Sequence, residues 1–454
     1  MARARRRTRA WMLVGLVGLG MLAGVALQRR VASNDILRTV TLGWSPYRIA
    51  LDTRAGRAFV MGASGNTATG FSGRLATLDT TSGALLRTVT LGPNPTDMVV
   101  DEGTSRVFIT DIVDGMARVL DARTGALLRT VAVGQMEPHD VERIAVDTRG
   151  NHVFVSAAAV QALDARTGAS GDVVFVGGGS LAVATRAGRV FSADYETNTV
   201  RVMDVRDGRL MRAVGVTAAP LHFAVSARAG RVFVAGDAGV SVLDARTGQV
   251  IRTVSIGAAR FAPMAVDEAT ARVFIATPTG VITLDAYSGR IIHTVPVRDP
   301  GGMVIDTRHG RAFVTLGNGV GVLDARSGVL SRTVAIGAHP SVAAIDERSG
   351  HVFVVDRGTM DANGNLTGPG SIGVLDARSG AVLRAITVGV YPGPMAVDER
   401  TEHIFVVNDG GPVRVSDPWG WVPPWLRRRL PLLPPPPSST RTVPGSVNMI
   451  DATR

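Results

Sequence analysis

The chain contains no cysteine and no lysine, so all 49 of its basic residues are arginine. The absence of cysteine excludes a disulfide framework, a thiol nucleophile and covalent haem attachment. The absence of lysine excludes a Schiff-base catalyst and a P-loop phosphate site. Any chemistry therefore rests on histidines, carboxylates, hydroxyls or a borrowed cofactor.

Aromatic residues are also scarce, at 5%, whereas glycine is abundant, with 53 residues, and 45% of the chain is hydrophobic. This composition is typical of a folded, turn-rich protein and not of a disordered one. The length of 454 residues fits two to four ordinary domains or one closed repeat architecture.

The formal net charge of +11 is concentrated in two short segments. Residues 1–34 contain seven arginines and no acidic residue, and residues 409–446 contain five arginines against two aspartates. These segments account for ten of the eleven net charges. The rest of the chain is nearly neutral, so the charge does not indicate a nucleic-acid partner.

Residues 1–30 are predicted to form a hydrophobic helix that serves as an export signal or a membrane anchor. Five arginines precede residues 11–27, which are uncharged and mostly apolar. Arg29 and Arg30 follow at once and leave no clear cleavage site, which favours an anchor, and a removed signal remains the alternative. The arginine bias predicts that everything after residue 30 lies outside the cytoplasm.

The remaining chain is built from two alternating motifs with a period of about 43 residues. The first motif is apolar-Val-Asp, a turn, and then Arg/His-x-Phe-Val, at 52–60, 101–109, 147–155, 267–275, 306–314, 346–354 and 398–406. Two degenerate copies have Ala184 and Ser226 in place of the aspartate. The second motif is Leu-Asp-Ala-Arg-Thr-Gly followed by Leu-Arg-Thr-Val-x-apolar-Gly, clearest at 120–134, 243–257, 323–337 and 375–389.

Each period contains four short alternating runs, which predicts an all-β fold: a β-propeller of four-stranded antiparallel blades in one domain, residues 31–454. The C-terminal segment 447–454 reads as a third strand, and 36–43 as the fourth strand missing from the same blade. Their pairing would close the ring. We predict nine blades, with eight as the alternative if the weak unit at 163–176 is not a full blade.

The repeat resembles that of the YVTN-type (YncE-like) β-propeller family, for example at 241–248 and 251–257, and in Phe405-Val406-Val407-Asn408. The resemblance covers residues 35–454 apart from two insertions. It implies a propeller outside the cytoplasm, with no particular activity.

Nine phenylalanines recur at one second-strand position and are predicted to pack in the core. His152, His351 and His403 precede three of them by two residues and are predicted to be solvated strand ends. The turns on one face, between first and second and between third and fourth strands, barely vary. The loops on the other face carry all the length variation, at 63–74, 135–143, 357–371 and 409–446, which predicts binding there.

That variable face collects non-repeating side chains on loops that should ring the channel mouth. The candidate ligand-binding residues are Trp44, Tyr47, His139, Asp140, His222, Arg260, His339 and Tyr391. The histidines come from well-separated blades, so the sequence predicts no metal site and no cofactor. Isolated polar loop residues are the alternative interpretation.

The insertion 409–446 is rich in Trp, Arg and Pro. Its candidate partner-binding residues are Trp419, Trp421, Trp425, Arg427, Arg428 and Arg429. Contact with lipid headgroups, a lid or partner arm, and a loop folded back on the propeller remain open. An anchored propeller would turn its invariant face to the membrane, which favours the lid or partner role.

Together these features predict a monomeric, extracytoplasmic binding module for an unidentified protein or small molecule. No compact catalytic motif is present. The repeat also resembles part of that of pyrroloquinoline-quinone dehydrogenases, but the docking tryptophan of those repeats is missing. A lactonase-like hydrolase or another propeller enzyme with its site at the channel mouth is the alternative, because its acids and histidines would come from separate loops.

Overall fold

The computed structural model describes residues 35–453, except 67–69, 112, 135–143, 158, 175–178, 260–261, 362–365 and 415–439. All regular elements in these residues are β-strands. No helix long and apolar enough to cross a membrane occurs in the described ranges. The hydrophobic helix predicted for residues 1–30 lies outside them.

The described part of the chain begins with β1 (Ile36–Thr41) and then forms eight consecutive four-stranded sheets, blades 1 to 8. Blade 1 is β2 (Ser45–Asp52), β3 (Arg57–Asn66), β4 (Gly70–Asp79) and β5 (Leu85–Thr90). Blade 2 is β6 (Pro95–Asp101), β7 (Arg106–Asp111), β8 (Met116–Asp121) and β9 (Leu127–Ala132). Blade 3 is β10 (Ile144–Asp147), β11 (His152–Ser156), β12 (Val160–Asp164) and β13 (Ser170–Val174). Blade 4 is β14 (Leu181–Ala184), β15 (Arg189–Asp194), β16 (Thr199–Asp204) and β17 (Leu210–Gly215).

Blade 5 is β18 (His222–Ser226), β19 (Arg231–Gly236), β20 (Gly239–Asp244) and β21 (Val250–Ser255). Blade 6 is β22 (Met264–Asp267), β23 (Arg272–Thr277), β24 (Gly280–Asp285) and β25 (Ile291–Val295). Blade 7 is β26 (Met303–Asp306), β27 (Arg311–Leu316), β28 (Gly319–Asp324) and β29 (Leu330–Ala335). Blade 8 is β30 (Pro340–Asp346), β31 (His351–Asp356), β32 (Ser371–Asp376) and β33 (Val382–Thr387).

Blade 9 closes the ring by joining the two ends of the described chain. It consists of β34 (Pro392–Asp398), β35 (His403–Asn408), β38 (Ser446–Asp451) and β1, and β38 lies between β35 and β1. Thr39 pairs with Asn448, and Val40 pairs with Val447. The weak unit at 163–176 belongs to a complete blade 3, so the prediction of nine blades is confirmed.

The first strands form the inner wall of the ring. Each of them contacts the first strands of both neighbouring blades, all the way round from blade 1 to blade 9. The second strands are almost fully buried, whereas fourth strands such as β9 expose most of their residues. Each blade therefore runs from the central channel to the outer surface, as propeller blades do.

The core consists of nine clusters, one between each pair of neighbouring blades. The repeated phenylalanines are all buried, as predicted: Phe59, Phe108, Phe154, Phe191, Phe233, Phe274, Phe313, Phe353 and Phe405. Phe108 of blade 2, for example, packs with Val153 and Val155 of blade 3. Burial of these side chains removes each blade face from water and is the main force holding the ring together.

The insertion in blade 9 begins and ends in a short hairpin. Its strands β36 (Gly411–Arg414) and β37 (Thr440–Val443) pair with each other and with no other strand of the described chain. A Cβ built on Gly410 would lie 2.7 Å from the Gly445 amide nitrogen, so the two ends of the insertion are adjacent. The insertion 409–446, called the arm from here on, therefore leaves and re-enters the ring at one point.

Candidate functional site

The invariant face consists of the first turns, between first and second strands, and the third turns, between third and fourth strands. At the third turn of blade 1, Asp79 Oδ1 accepts the Ser82 amide at 2.8 Å and the Ser82 hydroxyl at 2.9 Å. Gly125 in the equivalent turn of blade 2 has φ +66°, and a Cβ there would lie 2.3 Å from Thr77 Oγ1. The aspartate and the glycine of this motif are therefore structural, as the sequence predicts.

Arginines at the start of second strands join each blade to the next. Arg57 donates to Asp79 Oδ2 of its own blade at 2.8 Å and to the Arg123 carbonyl of blade 2 at 3.1 Å. The same pair of contacts is made by Arg106, Arg189, Arg231 and Arg272. Repetition of one contact around the ring marks this face as scaffold.

Two histidines contact the same turn of the next blade at the preceding carbonyl, in place of the solvated role that the sequence predicts. The Nδ1 atom of His351 lies 2.8 Å from the Ala452 carbonyl oxygen of blade 9. Both histidines are half-buried. His403 makes the equivalent contact to blade 1. The prediction is wrong for these two because the strand end lies against the third turn of the next blade, which supplies a carbonyl acceptor.

The variable face carries a cavity of about 730 Å³ above blades 1 and 2. Its lining residues come from the start of β2, the β3–β4 hairpin and two loops of blade 2: Ser45, Tyr47, Ala63, Gly65, Phe71, Pro93, Asn94 and Val113. Phe71 is 53% exposed and Val113 is 56% exposed. A concave, mainly apolar surface with exposed large side chains is typical of a binding site.

Tyr47 fixes one wall of this cavity. Its hydroxyl donates to the Pro95 carbonyl, and its ring packs against the cluster between blades 1 and 2. Burial raises the pKa of Tyr47 to about 12, and the Asp111 carboxylate adds to the rise. The phenol is therefore neutral at physiological pH. It forms part of the cavity wall and donates a hydrogen bond, and it does not act as an acid or base.

The polar edge of the cavity joins blade 9 to blade 1. The Ser45 hydroxyl donates to the Asp409 carboxylate, and burial raises the pKa of Asp409. On the other side of the cavity, the main-chain amide of Asn94 donates to Asp111 Oδ2 at 2.9 Å. These bonds hold the rim in one conformation and orient its polar groups.

The predicted residues Trp44 and Tyr391 flank the base of the arm. Tyr391 lies beside Gly411, since a Cβ on Gly411 would be 3.9 Å from its ring. Trp44 packs tightly on Gly62, and a Cβ on Gly62 would lie 2.4 Å from the indole. Trp44 is half-buried in the cluster between blades 9 and 1, so its ring seals that junction.

The two described histidines among the candidates lie elsewhere. His222 starts β18 on blade 5, and burial lowers its pKa, which favours the neutral imidazole. His339 precedes blade 8 and its Nδ1 lies 2.9 Å from the Gly358 carbonyl oxygen. Tyr47 on blade 1 is thus not brought together with either. Within the described ranges there is no group of three or more His, Asp or Glu that could hold a metal ion.

The other candidate residues lie outside the described residues: His139, Asp140, Arg260, Trp419, Trp421, Trp425, Arg427, Arg428 and Arg429. Sequence reasoning missed Phe71, Asn94 and Val113. A signal existed for Phe71, because it falls in the variable stretch 63–74 and outside the nine repeated phenylalanines.

No family model matches this chain, and no curated protein matches its sequence. Solved structures do resemble it. Dihydro-heme d1 dehydrogenase NirN, in complex with DHE, has a TM-score of 0.55 at 12% identity over 79% of both chains. Sqt1 from Saccharomyces cerevisiae has a TM-score of 0.55 at 12% identity over 79% of this chain and 100% of its own. The computationally designed protein Ika8 has a TM-score of 0.50 at 17% identity over 78% of this chain and 100% of its own. At these identities the likeness shows the propeller fold alone.

Proposed function

We propose that this chain is an extracytoplasmic binding module of the YVTN type, which takes a protein segment or a small molecule through its variable face. Residues 1–30 serve as its export signal or anchor. The observation that carries the proposal is the cavity above blades 1 and 2, where Phe71 and Val113 remain exposed on a rigid rim.

The contrast between the two faces supports this choice. The first and third turns repeat the same aspartate caps and arginine contacts from blade to blade, which leaves them little freedom to vary. The cavity is formed by the long β3–β4 hairpin and by loops that no repeated contact constrains. Variable loops on a rigid repeat scaffold are the usual place for recognition.

The apolar part of the site favours an aromatic or aliphatic group on the partner. Phe71 and Val113 offer exposed apolar surface, and the Ser45 and Asn94 edge supplies polar groups that orient the ligand. The base of the arm lies near the same junction, beside Tyr391 and Trp44. We propose that the insertion 409–446 serves as a lid or a partner-binding arm.

The test measures how much of its protein or small-molecule partner the full-length protein captures and compares that amount with the amount that each variant captures. Phe71→Ser together with Val113→Ser should abolish capture without unfolding the ring, because both side chains are exposed. Tyr287→Ser is the matched control, since Tyr287 is 48% exposed on the third turn of blade 6. Removal of residues 411–444, with Gly410 joined to Gly445, tests the arm.

Loss of capture in the Phe71/Val113 variant, with retention in the Tyr287 variant, supports the proposal. Equal capture by both variants, with circular dichroism showing an intact fold, places recognition elsewhere and contradicts it. Retained capture after arm removal limits the partner site to the cavity.

A further inference from the structure

The first turns of the ring follow a rule that blades 4 and 5 break, and blade 5 has a replacement carboxylate. Seven blades end their first strand in a buried aspartate whose carboxylate accepts amides of the turn: Asp52, Asp101, Asp147, Asp267, Asp306, Asp346 and Asp398. In blade 7, for example, Asp306 Oδ1 accepts the amides of Arg308 and His309, both at 3.1 Å. The carboxylate accepts hydrogen bonds from main-chain amides of the turn that have no main-chain acceptor and would otherwise bond to water.

A second carboxylate reaches several first turns from the next blade. In blade 1, Thr53 donates its amide at 2.7 Å and its hydroxyl at 2.8 Å to Glu102 of blade 2. In blade 5, Ser226 replaces the aspartate, and Glu268 of blade 6 accepts the amides of Ala227 at 2.6 Å and Arg228 at 3.1 Å. The turn of blade 5 is therefore satisfied by its neighbour.

Blade 4 lacks both carboxylates. Ala184 stands where other blades have the aspartate, and Ala227 of blade 5 stands where blades 2 and 6 have Glu102 and Glu268. Among the described residues, main-chain carbonyls are the only acceptors for this turn, such as the Ala184 carbonyl for the Ala187 amide at 2.9 Å. The Arg186 amide, which a carboxylate accepts in blade 7, has no acceptor among the described residues.

A cavity of about 620 Å³ lies at this turn, between blades 3, 4 and 5. Arg149, Arg186 and Arg246 are among its lining residues, all three are exposed, and none of their guanidinium groups is paired within the described chain. A fourth lining arginine, Arg231, is already paired with Asp244 at 3.0 Å. The cavity thus holds three unpaired positive charges and no unpaired carboxylate on its wall.

The remaining wall is apolar, with Val183, Val225 and Ala245 among the lining residues. The size suits a small organic molecule and not an isolated inorganic ion. Guanidinium groups bind carboxylates through two parallel hydrogen bonds. In blade 1 the two carboxylates lie close together: burial raises the pKa of Asp52, and the neighbouring Glu102 adds to the rise.

We propose that this cavity on the invariant face binds a small organic dicarboxylate. One carboxylate takes the place of the aspartate missing at Ala184 and accepts the Arg186 amide. The other takes the place of the glutamate missing at Ala227, next to Thr185. Arg149, Arg186 and Arg246 neutralise the two charges. This site is separate from the cavity above blades 1 and 2 and does not depend on the function proposed for it.

The test measures thermal unfolding of the full-length protein with malonate, succinate and glutarate. Acetate, succinamide and inorganic phosphate are the controls for one carboxylate, no charge and a different anion. At least one dicarboxylate should raise the melting temperature, because ligands that bind only the native state stabilise it. Acetate, succinamide and phosphate should have little effect at the same concentration and ionic strength.

Two variants decide whether the effect belongs to this turn. Ala184→Asp supplies the missing carboxylate, so it should raise the melting temperature of the free protein and abolish the dicarboxylate effect. Arg186→Gln should weaken binding about tenfold, as expected for loss of one charged contact. Arg308→Gln is the matched control, since Arg308 occupies the same place in blade 7 beside Asp306, and it should bind as wild type.

Three results would overturn the proposal: no stabilisation by any dicarboxylate, equal stabilisation by phosphate or acetate, or an effect that persists in Ala184→Asp. If Ala184→Asp does not fold, the comparison of Arg186→Gln with Arg308→Gln decides alone. Equal affinities in those two variants would also refute the site.

Discussion

The imidazole Nδ1 of His403 lies 2.8 Å from the main-chain carbonyl oxygen of Thr80, across the junction where blade 9 meets blade 1. These residues are 323 positions apart in the chain, so the contact ties its two ends. Six other blades have arginine at the equivalent position of the second strand. One ring nitrogen of the histidine therefore contacts the turn that the arginine side chain contacts elsewhere, at a carbonyl one residue earlier.

His403→Ala should lower the free energy of unfolding by about 1 kcal/mol, the usual net value of one such hydrogen bond. His403→Arg should restore most of the loss, because an arginine there can reach the third turn of blade 1, as Arg57 reaches that of blade 2, and would face Asp451, which pairs with position 403. Urea unfolding followed by circular dichroism measures both. An arginine variant no more stable than the alanine variant would show that the contact does not hold the junction.

A buried amide network inside blade 9 predicts a larger effect. Asn448 is 3% exposed. Its Oδ1 accepts from Asn408 Nδ2 at 2.8 Å and from the Gly389 amide at 3.2 Å, and its Nδ2 donates to Thr39 at 2.8 Å. Asn448→Ala should cost about 2 kcal/mol, because it leaves buried donors without partners.

Thr39→Val is the control for this network. Thr39 is exposed, so water can replace its hydroxyl, and the variant should cost less than about 0.5 kcal/mol. The same urea titration measures both variants. Similar losses in the two variants would mean that pairing of β1 with β38, and not the buried amide, sets the stability of the closure.

Tyr47 predicts a late step in the alkaline titration. Burial and the Asp111 carboxylate raise its pKa from 10.0 to about 12, so absorbance at the tyrosinate band should show a component near pH 12 that Tyr47→Phe removes. Because the folded pKa is the higher one, the folded state keeps the proton that the unfolded state loses. This contribution to stability is present below pH 10 and is lost as the pH rises through 12. An unchanged titration in Tyr47→Phe would contradict the buried placement.

Much of the fold could be predicted because the same sequence signals recur from blade to blade. The alternation of residues, the Phe position and the Asp-x-x-Thr/Ser-Gly turns each recur. In blade 5 the sequence predicts strands at 222–226, 231–236, 240–244 and 251–257, and their ends agree with the structure to within two residues. Closure by residues 36–43 and 447–454 could be predicted because the two ends complete one motif. A repeated signal averages out local exceptions.

The sites could be predicted only in part, because they depend on exceptions to the repeat. Tyr47 could be identified as a non-repeating residue on the variable face, but its contact with Pro95 depends on how blades 1 and 2 pack. Ala184 and Ser226 look equally degenerate in sequence. Only the structure shows that Glu268 compensates for Ser226, whereas nothing in the described chain compensates for Ala184.

The most direct test of the binding proposal is site-specific photo-crosslinking of the full-length protein in its own cells. A photoreactive phenylalanine analogue replaces Phe71 in one variant and Tyr287 in the other, so that each face carries one probe at an exposed position. The account predicts a defined crosslinked species, identified by mass spectrometry, from position 71 and not from position 287. The same products from both positions, or a defined product from position 287 alone, would contradict the assignment of recognition to the variable face.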